Sequence, residues 1–68
     1  MSFVAKVVFL VTGPNRARVD NAQHVAGHLA RPGEAAIRFH LVSDKAWPGV
    51  EQWATPYLLS SLPAEALA

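Results

Sequence analysis

In the stretch FVAKVVFLVT, from Phe3 to Thr12, apolar side chains fall on both parities. Phe3, Val7, Phe9 and Val11 share one face and Val4, Val8 and Leu10 the other, the pattern of a strand covered on both sides, as in a parallel sheet flanked by helices. Gly13, Pro14 and Asn15 end the strand. The period then changes to that of a helix. Val19, Ala22, Val25, Ala26, Leu29 and Ala30 lie on one stripe at 100° per residue, with Asp20, His24, His28 and Arg31 opposite. The pattern predicts a helix from about Arg16 or Val19 to Ala30. Asn15 is one candidate N-cap, and Asp20 with Gln23 three residues later is a competing capping box. Pro32-Gly33 closes the element.

A second alternating segment, AAIRFHLVS from Ala35 to Ser43, sets Ile37, Phe39 and Leu41 against Arg38 and His40. One face is therefore buried and the other partly polar, as expected toward a sheet edge or a subunit contact. Strand, helix and strand make a βαβ unit over residues 1–45, with parallel strands and a right-handed crossover. Two strands do not make a stable sheet.

From residue 46 the only charges are Glu51 and Glu65, among Trp47, Trp53, Tyr57, Leu58, Leu59, Leu62 and Leu67. Pro48, Pro56 and Pro63 divide this tail, residues 46–68 of the same single domain, into short pieces. Thr55-Pro56 fits an N-cap with proline at the first helical position, and Pro63 before AEAL fits a second start, so two or three short helices are expected. The fold class expected is thus α/β: a βαβ unit with short C-terminal helices.

Composition adds a need for partners. A chain of 68 residues buries only about 60% of the surface its unfolded form exposes. Hydrophobic residues are 51% and charged residues 16% of the sequence, more apolar surface than one small chain hides. The expectation is a small non-catalytic binding or assembly module that self-associates through its sheet edge and C-terminal tail, as a homo-oligomer or as companion subunit of a larger complex. The alternative is an anion- or small-molecule-binding subunit, enzymatic or not, with its site at the first strand-helix turn. Trp47, Trp53, Tyr57, Leu58, Leu59 and Leu62 are the candidate interface residues, since large aromatics in an apolar tail serve core or contact surfaces. The apolar run from Phe3 is too short to span a membrane and lacks a signal-peptide cleavage site, so a cytoplasmic protein without a membrane partner is expected.

Charge and cysteine usage narrow the chemistry. Six Lys and Arg residues nearly balance five Asp and Glu and lie scattered, which gives no electrostatic footprint for nucleic acid. The absence of cysteine excludes thiolate nucleophiles, Cys-ligated zinc and persulfide carriage by this chain. Ser43, Ser60 and Ser61 lack a nucleophile-elbow context, and the carboxylates form no acid and base pair. No cofactor and no catalytic residue are assigned, and enzyme activity by this chain alone is not expected.

Two places retain chemical interest. At the first strand-helix turn, Gly13 permits a close turn, Asn15 bonds locally, and Arg16 and Arg18 add charge near a helix N-terminus, so Gly13, Asn15, Arg16 and Arg18 are the candidate residues for an anion or small molecule. Neither GxGxxG nor a phosphate-loop lysine is present, and an ordinary βα connection with two solvated arginines fits the same residues. His24 and His28, four apart, place two imidazoles on one side of a helix, a spacing metal sites exploit. Val25 stands where a zinc-protease helix carries glutamate, and a closed zinc site would need ligands from a neighbouring chain, so no metal is assigned. His40 reads as a partly buried, hydrogen-bonded residue.

The Lys6-Val7-Val8-Phe9 strand, Thr12 at its end, the Arg18-Val19-Asp20-Asn21-Ala22 helix start and the Leu29 anchor together resemble the opening βαβ of the DsrE/DsrF-like sulfur-relay family. The resemblance covers roughly the first two thirds of the chain. It implies half of a flavodoxin-like parallel sheet, assembled as a trimer or larger oligomer, in a protein that handles sulfur or serves as a companion subunit. Family members are usually longer. The sulfur-carrying cysteine of the active members is absent here, so their chemistry transfers to no residue of this chain.

Overall fold

The computed structural model of the chain describes residues 5–30 and 37–64. Its elements are β1 (Ala5–Val11), α1 (Arg16–Leu29), β2 (Ile37–Ser43) and β3 (Thr55–Leu58), with single 3₁₀ turns at Val50–Gln52 and Leu59–Ser61. Phe3, Val4, Pro32 and Gly33 fall outside the described residues. The sheet is parallel throughout, in the order β1-β2-β3.

Parallel pairing sets Val7 beside Phe39, Phe9 beside Leu41 and Val11 beside Ser43, and it continues from Leu41 to Pro56 and from Ser43 to Leu58. These residues share the face on which α1 packs. Val19, Ala22 and Ala26 are the buried positions of α1, and Val19 and Ala22 join Val11, Leu41 and Val50 in the core. Phe9, Trp47, Trp53 and Ala54 pack around that cluster. The Phe9 ring stacks on Phe39 at 6.1 Å and meets the edge of Trp53 at 5.9 Å. Because successive right-handed crossovers step in one direction along the sheet, α1 and the 44–54 connection lie on the same side.

The opposite face behaves differently. Its β1 residues Val8 and Leu10 remain 36% and 67% exposed. Beside Leu10 in the register, Val42 is buried, as befits the central strand. The two-sided cover expected for β1 is therefore present on one face only among the described residues.

α1 begins at the earlier of the two candidate starts. Asn15 is the N-cap, its Oδ1 accepting the N–H of Ala17 at 2.9 Å. Asp20 does not cap; its carboxylate takes Nε–H of Arg16 at 3.2 Å, one turn away. The Gly13-Pro14 turn ends β1 just ahead of Asn15, so the first available capping side chain wins. At the far end the N–H of Ala30 bonds the carbonyl of Ala26 at 2.9 Å.

Three expectations are corrected. Thr55-Pro56 does not open a helix: Thr55 to Leu58 form a third strand, paired with His40 to Ser43. A residue before proline is pushed toward extended conformation, and proline is tolerated in an edge strand, so the same dipeptide serves either element and pairing with β2 decides. The short helices expected in the tail reduce to two single 3₁₀ turns, while the AEAL segment lies largely beyond the described residues. Finally, β2 is the central strand rather than an edge, and β1 is not central as it is in a flavodoxin-like order. The brief connection 44–54 reaches only the free side of β2; crossing over β1 would need a longer path.

Candidate functional site

The carboxyl ends of the strands gather the chain's most concentrated polar contacts. Gly13 has φ of 91° and Gly49 of 88°, a left-handed backbone that glycine adopts without the Cβ penalty. The turn at Gly13 directs its N–H to Oδ2 of Asp44 at 3.0 Å. An internal carboxylate thus takes the donor that an external anion would use. The turn at Gly49 opens the 3₁₀ segment and brings Val50 fully into the core.

Arg16 bridges the two turns. Its Nη1–H donates to the carbonyl of Pro48 at 3.0 Å while its Nε–H holds Asp20. Its guanidinium lies 5.8 Å from the centroid of the Trp47 ring, and Nζ of Lys45 lies 4.3 Å from the same centroid. Beneath the indole, Nε1–H donates to Oγ of buried Ser43 at 2.9 Å, and the Lys45 backbone N–H reaches that oxygen at 3.3 Å. Two cations beside one indole, with the indole N–H satisfied, form a clamp that ties β2 to the start of α1.

A cavity of about 260 Å³ opens beside this clamp, lined by Leu41, Ser43, Lys45, Trp47, Tyr57 and Leu58 among others. Its lining is largely apolar, with one cation, Lys45, and one carboxylate, Glu51. Ser43 Oγ is engaged by the Trp47 and Lys45 N–H donors, and His40, the only histidine on β2, belongs to the opposite face by its register with Val8. Among the described residues no group of three potential metal ligands occurs.

The four turn residues proposed from sequence are not brought together. Asn15 is spent on capping, Gly13 on Asp44 and Arg16 on Pro48 and Asp20. Arg18 points elsewhere, lining a groove with Phe9, Leu10, Ala22 and Val25 along the outer side of β1. Of the tail residues read as interface, Trp47 and Trp53 pack on the chain's own core. Leu58 and Leu59 are exposed, and Tyr57 and Leu62 are half-buried.

Sequence reasoning missed Asp44 as the partner of the turn and Lys45 as a partner of Trp47, and nothing local signals the Gly13–Asp44 contact across thirty-one positions. His40 also departs from expectation. Its ring is partly buried and stacks on Tyr57 at 5.2 Å, but Nδ1 is buried with no hydrogen-bond partner among the described residues. No helix among the described residues is long and apolar enough to cross a membrane. No protein-family model matches the chain, and neither a curated protein nor a solved structure gives a significant match.

Proposed function

We propose that this chain is a non-catalytic assembly module, in the manner of a DsrE-like companion subunit, that associates with a second copy through the open edge of β1. One observation carries the reading: Val8, Leu10 and Val25, half of the exposed large apolar residues described, lie at that edge, while Leu58 and Leu59 lie at the far edge, on and after β3. Val8 and Leu10 stand on the part of the sheet face that β1 leaves uncovered, and Val25 of α1, 46% exposed, lines a groove with Leu10. Parallel strands are ordinarily covered on both faces, and at Val8 and Leu10 apolar area of β1 stays in water among the described residues.

The two sheet edges are not equivalent. β3 is four residues long and carries Pro56, both features that resist further pairing. β1 is seven residues long and pairs, among the described strands, with β2 alone. An isologous contact about a two-fold axis would join β1 strands antiparallel. Centred on Val8, the middle of β1, it sets Val8 against its own copy and Lys6 beside Leu10 of the second copy, where the lysine stem covers the leucine. The contact would also carry a three-stranded sheet past the size at which small sheets are marginal.

Sedimentation equilibrium on the whole chain tests this. The weight-average mass should rise above the monomer's 7.3 kDa between about 1 and 100 µM, with a melting temperature that climbs over the same range. A mass fixed at the monomer value, with a cooperative melt independent of concentration, would overturn the proposal.

A further inference from the structure

On the outer face of α1, away from β1 and from the core, His24 and His28 share a hydrogen bond between their Nε2 atoms at 3.2 Å, with rings 4.7 Å apart and nearly perpendicular, so an ion bound to both nitrogens takes the place of the proton between them. Both side chains are exposed, in a shallow groove shared with Asp20, Gln23 and Gly27. We propose that this pair is a chelating site for a divalent late transition metal ion of the zinc, nickel or copper type, bound through the two Nε2 atoms.

The geometry argues for a shared ion. With metal–nitrogen bonds of about 2.0–2.1 Å, nitrogens 3.2 Å apart subtend about 100° at a common ion. That angle lies between the right angle of an octahedral site and the about 109° of a tetrahedral one. A helix fixes the two ligands at this separation, so the second bond forms at high effective concentration and costs little further ordering. Imidazole is a favoured ligand for these ions and a poor one for magnesium or calcium.

No third protein ligand joins the pair among the described residues. Asp20 lines the same groove, but its carboxylate is bonded to Arg16. Water completes the coordination, which makes the site exchangeable rather than structural. Its place on the helix face turned away from the sheet leaves the β1 edge free, so metal binding and the proposed association are independent.

Titration of the whole chain with zinc chloride or nickel chloride, followed by calorimetry and by the histidine ring signals in NMR, is the test. Saturable binding of one ion per chain is expected, with perturbation of His24 and His28 and none of His40. Affinity should fall at lower pH, because a metal-bound imidazole must be unprotonated. His24→Gln and His28→Gln should each weaken binding about tenfold or more through loss of the chelate. Both residues are exposed, so circular dichroism of the variants should match the parent. Magnesium chloride should give no saturable heat. Single variants that bind within threefold of the parent, or no saturation by zinc or nickel up to about 1 mM, would overturn the assignment.

Discussion

Leu10 offers the most direct probe of the proposed β1 contact. It is 67% exposed in the single chain, so its replacement should change the stability of an isolated monomer by no more than about 0.5 kcal/mol. In the paired arrangement the flank of Leu10 turned to the second copy is covered by the Lys6 stem, while its outer side stays on the sheet face. Full burial of a leucine is worth about 1.5–3 kcal/mol, so covering about a third of it gives about 0.5–1 kcal/mol per copy. Two-fold symmetry doubles it. Loss of both leucines then costs about 1–2 kcal/mol, or about 5- to 30-fold in dissociation constant.

The partner of Leu10 sharpens the test. In the register centred on Val8, Leu10 faces Lys6 of the second copy, so Leu10→Lys opposes like charges twice and Leu10→Glu creates two opposite pairs. Cross-strand charge pairs contribute about 0.2–1 kcal/mol each, in either sign. The two variants should therefore differ by about 1–4 kcal/mol in association, at least about fivefold, with Leu10→Glu the tighter. Sedimentation equilibrium at low salt measures both constants, and the difference should shrink as salt screens the pairs. Equal dissociation constants for the two variants would refute this register. An association unaffected by either substitution would refute the edge contact itself.

The remaining predictions concern the turn and the clamp. Asn15→Ala removes the cap on Ala17 and should lower stability by about 1 kcal/mol, read as a fall of about 4–8 °C in melting temperature for a domain this small. Gly49→Ala meets no neighbouring atom, so its cost is that of the left-handed backbone alone, about 1–2 kcal/mol; denaturant titration should show it with an unchanged slope. Ser43→Ala strips the buried acceptor from the Trp47 indole and the Lys45 N–H, costing about 1–3 kcal/mol and altering tryptophan fluorescence. An unaltered spectrum and midpoint would show that the indole finds another partner.

Much of the first half was legible because its signals are local. A run of β-branched and aromatic residues closed by Gly13, a 3.6-residue stripe and a second alternating run each specify an element without reference to the rest of the chain. Even there, the choice between Asn15 and Asp20 as cap was open, because both side chains qualify chemically. The partners of the first turn were not legible for a related reason: Gly13 and Arg16 stand alone in sequence, and only the fold brings Asp44 and Pro48 to them.

By itself the sequence determined β1, α1 and β2, the exclusion of cysteine chemistry, and the apolar stripe of α1, of which Val19, Ala22 and Ala26 are buried and Val25, Leu29 and Ala30 exposed. Tertiary structure alone decided that Thr55 to Leu58 would be a strand, that β2 would be central, and that Trp47 and Trp53 would serve the chain's own core. The physical reason is the range of the forces involved. Turn sterics, capping and side-chain periodicity act over a few residues, whereas a Thr-Pro dipeptide in an apolar tail has no preference strong enough to resist hydrogen bonds offered by a free strand edge, and an indole goes wherever the assembled sheet leaves a gap to fill.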